Sequence, residues 1–78
     1  MEKYLNKIKE ITIEKSGIDG EEVLDSSYFE DDLNIGEMEL LDILGALEEE
    51  YEIEFTDKEK DTIKSVMELV ELVMEKVE

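Results

Sequence analysis

Along most of this chain apolar residues return every three or four positions, the spacing that places them on one face of a helix. In the first segment Tyr4, Leu5, Ile8, Ile11 and Thr12 share a face, with Lys and Glu opposite, which predicts a helix from about Glu2 to Ser16. Gly17 follows as its stop. From Ile18 to Gly36 the pattern is irregular and rich in Asp, Ser and Gly, so a long loop is predicted, packed down by Val23, Phe29, Leu33 and Ile35. A second helix is predicted from near Gly36 to about Glu50, with Leu40, Ile43, Leu44, Leu47 and Tyr51 as its core stripe. A second apolar line on that helix, Met38 and Leu41 followed by Gly45, is flanked by Glu37, Asp42, Glu48 and Glu49 and is hard to bury.

Two capping boxes of the form S/T-x-x-E, Thr56 to Glu59 and Ser65 to Glu68, start two further helices. The first is short, Asp57 to Thr62; the last carries Val66, Leu69, Val70, Val73, Met74 and Val77 on one face. Apart from the brief "YEIEF", no segment alternates as a strand would. The predicted fold is all-α: a four-helix bundle in one domain over residues 1–78, with a long loop between helices one and two and a short third helix.

Charge adds a direction to this plan. The formal net charge is −17, and all eight basic residues are Lys. The stretch from Ser16 to Asp57 contains none of them and carries sixteen acidic residues. Such a field repels phosphate backbones and anionic lipid surfaces, so neither nucleic acid nor membrane is expected as a partner. It favours the basic surface of a partner protein. No apolar run approaches the roughly 20 residues of a membrane span, and a cytoplasmic monomer is expected.

Candidate chemistry is sparse. Without Cys or His the chain has no thiolate, no imidazole base and neither of the usual soft metal ligands. An EF-hand register with Gly36 as the loop glycine puts Leu33 and Ile35 on ligand positions, and one with Gly20 puts Lys15 first. No metal site and no enzymatic activity are expected. Glu37, joined by Glu39, is suited to the positive end of the second helix, an interaction of about 0.3–1 kcal/mol.

The pieces "GIDGEEV", "SSYFEDDL", "ALEEEY", "IEFTD" and "TIKSV" resemble, in order and without gaps, the acyl carrier proteins of fatty-acid and polyketide synthesis. The resemblance covers nearly the whole chain. It implies a carrier fold in which an Asp-Ser-Leu at the start of the second helix bears phosphopantetheine on the Ser hydroxyl. Residue by residue, that motif falls on Gly36, Glu37 and Met38. A Glu carboxylate gives at best a labile acyl phosphate and repels the incoming pyrophosphate, so no bound phosphopantetheine is expected. Partners in the family read the second helix through acidic and apolar side chains, which implies a docking set of Glu37, Met38, Leu41, Asp42, Glu48 and Glu49, with Phe55 contributing near the short helix. Gly45 departs from the family's larger apolar residue.

The other hydroxyls lie elsewhere. Ser16 ends the first helix, Ser65 reads as a cap, and Ser26 and Ser27 sit in the long loop. Three readings stay open: an interaction or regulatory module without the prosthetic group; a working carrier that uses another hydroxyl or whose natural Ser was replaced by mutagenesis; and a structural remnant with no specific partner.

Overall fold

The computed structural model describes residues 2–78, in the order α1 (Glu2–Ser16), a 3-10 turn (Gly20–Glu22), α2 (Glu37–Tyr51), α3 (Asp57–Thr62) and α4 (Val66–Val77). The helices fall where the apolar spacing places them. α1 packs against both α2 and α4. Its Tyr4, Ile8, Ile11 and Thr12 are buried, and they meet Ile43, Leu44 and Leu47 of α2 and Val66, Leu69, Val70 and Val73 of α4 in one core. Leu40, Tyr51 and Met74 are half-buried at its edge. Val77, read as part of the α4 core face, is exposed instead, at the last residue of the helix.

Local signals account for the helix ends. Gly17 adopts φ 74°, and its N–H donates to the Ile13 carbonyl at 2.9 Å, a left-handed stop that glycine takes without strain. Both capping boxes are closed: the Thr56 and Ser65 hydroxyls accept from the N–H groups of Glu59 and Glu68, whose carboxylates accept back from the cap N–H groups. α2 runs one residue past the expected end and stops at Glu52, which takes the left-handed conformation without being glycine.

The long loop is held at both levels. Val23, Phe29, Leu33 and Ile35 are buried, as their isolated apolar character predicts. Its backbone also pairs across the molecule, with Phe29 N–H donating to the Lys64 carbonyl and Val66 N–H to the Ser27 carbonyl, both at 2.9 Å. These bonds form an isolated antiparallel bridge between Tyr28 and Ser65 that no local pattern announces. Near the ends of the chain, the Tyr4 hydroxyl donates to Glu78 Oε2 at 2.8 Å, and the Tyr4 ring lies 5.7 Å from that of Tyr51. No helix among the described residues is long and apolar enough to cross a membrane.

Candidate functional site

The outer face of α2 follows from the same period that builds the core. Positions 38, 41, 42, 45 and 49 fall three, four, seven and eleven residues apart from the first, so they share the side of the helix turned from the bundle. Met38 is 82% exposed and Leu41 43%, an apolar pair left uncovered in the chain by itself. Glu37, Asp42 and Glu49 are exposed beside them. The face therefore presents an apolar centre with carboxylates around it.

Glu48 differs from its neighbours. It is half-buried, and its Oε2 accepts the backbone N–H of Phe55 at 2.8 Å, closing the turn between α2 and α3. Phe55, expected to contribute to docking, is a core residue at 5% exposure. Its ring belongs inside because the turn that Glu48 closes folds it under α3.

At the start of α2, Gly36 caps the helix with extended backbone and no side-chain cap, and its carbonyl accepts the Leu40 N–H at 3.0 Å. Glu37 begins the first turn with its side chain in solvent. Beside it lies a cavity of about 260 Å³ between α2 and α3, with Phe29, Ile35, Leu40 and Ile63 as apolar lining and Glu37, Lys60 and Lys64 among its charged groups. The sequence placed Lys60 and Lys64 near the short helix, but only the fold brings them to the α2 start. A shallower groove runs along the outer face between Lys15, Asp42, Gly45, Glu48 and Glu49. An added Cβ at Gly45 meets nothing within 4 Å, so the chain's own packing does not require glycine there.

The hydroxyls are distributed away from this site. Ser16 Oγ donates to the Thr12 carbonyl, Ser27 is buried and accepts the Leu24 N–H at 3.1 Å, and Ser65 is held in its capping box. Ser26 is exposed in the loop, and Thr12 is buried in α1. None lies in the first turn of α2.

No protein-family model matches the chain. It is 36% identical over 74 residues to an acyl carrier protein of Rubrobacter xylanophilus, covering 95% of this chain and 91% of that one. It is also similar to the crystal structure of an acyl carrier protein from Thermotoga maritima, with a TM-score of 0.86 and 29% identity over 97% of this chain and 88% of the other. The solution structure of an apo doublet acyl carrier protein from prodigiosin biosynthesis matches with a TM-score of 0.83 over 96% of this chain and 36% of that one. At 16% identity that last match is a likeness of fold alone.

Proposed function

We propose that this chain, which belongs to the acyl carrier protein family and is therefore a carrier-type protein rather than an enzyme, acts as a docking module without covalently bound phosphopantetheine. The carrying observation is Glu37, exposed in the first turn of α2, where the family resemblance requires a serine. The residues present do not fit the prosthetic group. Attachment needs an oxygen nucleophile that ends as a stable phosphodiester, and Gly36, Glu37 and Met38 supply no hydroxyl. A carboxylate at that point adds negative charge where a pyrophosphate would have to approach.

What remains is the recognition surface. Met38 and Leu41 supply apolar contact; Glu37, Asp42 and Glu49 supply charge that steers a basic partner protein and orients it on the helix. The uneven distribution of lysines supports this reading, since none lies between Ser16 and Asp57. Glu48 contributes field to the same face while its carboxylate holds the turn.

Intact-mass analysis tests the first half of the proposal. After incubation with coenzyme A, magnesium and a broad-specificity phosphopantetheinyl transferase, the mass is expected to stay unchanged. An adduct, whether mapped to exposed Ser26 or elsewhere, would overturn it. For the second half, Asp42→Lys and Glu49→Lys are expected to weaken capture of specific partners, and equal capture by parent and variants would remove α2 as the docking face.

A further inference from the structure

Gly45 sits in the interior of α2 without a reason inside the fold. Glycine weakens a helix interior relative to alanine, and it is kept where another group must approach the backbone closely. Within the chain nothing makes that approach, because a Cβ built at Gly45 meets no atom within 4 Å. The space above it opens on solvent as a depression in the outer face of α2, bordered by Lys15 near the end of α1 and by Ile53 after the last turn of α2. Ala46 and Ile53, both half-buried, give it an apolar side. Asp42 stands one turn before Gly45 and Glu49 one turn after it, both exposed, and Glu54 adds a further exposed carboxylate to the rim. Lys15 is the one cation at the rim, and among the described residues it makes no ion pair.

We propose that this depression seats an arginine side chain of the partner protein, with the guanidinium plane against the helix backbone at Gly45 and its donors shared between Asp42 and Glu49. The inference rests on the reading of α2 as a docking face and names what that face receives. Charge complementarity selects a cation, since Asp42, Glu49 and Glu54 are exposed around the depression and none has an ion-pair partner among the described residues. Shape selects arginine over lysine. A guanidinium is planar and weakly hydrated, so it can lie on a surface that lacks a Cβ, and its fork of donors reaches a carboxylate on each side. An ammonium is compact and strongly hydrated, and it gains little from the missing Cβ. Gly45 thereby acts as a specificity determinant: a larger residue there closes the seat and leaves the surrounding charge unchanged.

Two amphipathic helical peptides test this on the full chain, one of Leu and Arg and a twin with Lys in place of every Arg, titrated while the backbone amides are followed by nuclear magnetic resonance. The parent is expected to bind the Arg peptide about tenfold tighter than the Lys peptide. Gly45→Met should bring that ratio to within about twofold. Glu37→Lys, at the far end of α2 from the depression, should weaken both peptides and preserve the ratio. A parent without preference for Arg, or a preference that Gly45→Met leaves unchanged, would overturn the seat even where Glu37→Lys weakens both peptides and the docking face stands. If neither peptide shifts the α2 amides, the docking face falls and the seat with it. Gly45→Ala gives a readout independent of any ligand. It is expected to melt at a higher temperature than the parent, and an unchanged or lower melting temperature would return the glycine to the fold and overturn the proposal.

Discussion

The Glu48 carboxylate accepts the Phe55 backbone N–H at 2.8 Å, seven residues along the chain, and so splits the acidic face of α2 into two kinds of carboxylate. Asp42 and Glu49 are exposed and make no side-chain hydrogen bond of this kind. Glu48→Ala is expected to lower stability by about 1 kcal/mol, because it leaves the Phe55 amide without its charged acceptor. Glu49→Ala should stay within about 0.5 kcal/mol of the parent. Chemical denaturation of the two variants checks this, and equal midpoints would place Glu48 with the solvent-facing charges.

Thr12 presents the opposite case. Its side chain is fully buried in α1, and Oγ1 has no hydrogen-bond partner. Valine has nearly the same shape and no hydroxyl to desolvate. Thr12→Val is expected to stabilise the fold by about 1 kcal/mol, seen as a melting temperature several degrees higher. A lower melting temperature would show that the hydroxyl is satisfied in solution.

If the missing hydroxyl alone separates this chain from carrier chemistry, restoring the motif should restore modification. Gly36→Asp with Glu37→Ser fits locally, since an added Cβ at Gly36 meets nothing within 4 Å and Asp is a favoured helix cap. The double variant is expected to gain one phosphopantetheine under the conditions that leave the parent unchanged. No gain, with the fold intact by circular dichroism, would show that the missing hydroxyl is not the sole obstacle to modification.

Two sets of groups predict pH dependence of opposite sign. The hydrogen bond to the Glu78 carboxylate raises the Tyr4 hydroxyl above its ordinary value of 10.0, and burial does the same for Tyr51. Unfolding lowers both, so their stabilising contribution is complete below pH 10.0 and is lost as pH rises through the native values. Glu59 is held below its ordinary 4.5 by the Thr56 N–H first and Lys76 second. Its contribution is complete above pH 4.5 and is lost as pH falls through the native value. Phenolate absorbance in folded and denatured protein should show the first shift, and exchange of α3 amides in acid the second; identical folded and denatured phenolate titrations would contradict the tyrosine assignment.

The helices and their ends were legible because their causes are local. A period of three to four, a Gly17 that takes positive φ, and two S/T-x-x-E boxes each act within a turn or so of helix, and all appear where the sequence puts them. The loop anchors were legible for a related reason: an isolated Phe29 or Val23 in a polar stretch has a strong drive to leave water. The exposed line of Met38 and Leu41 was legible too, since a helix has only one face to give the core.

The tertiary structure decided the rest, because those features depend on which distant segments meet. Phe55 was expected at the docking surface and lies in the core, in the turn that Glu48 closes by accepting its backbone N–H. The pairing of Tyr28 with Ser65 joins residues from two loops, and the contact of Lys76 with Glu59 joins the last turn of α4 to the first turn of α3. Sequence by itself determined the elements, the acidic face and the absence of a hydroxyl at position 37, all properties of single residues or close neighbours. Packing determined which carboxylates face solvent and which hold the fold, because that choice is made by distance in space rather than along the chain.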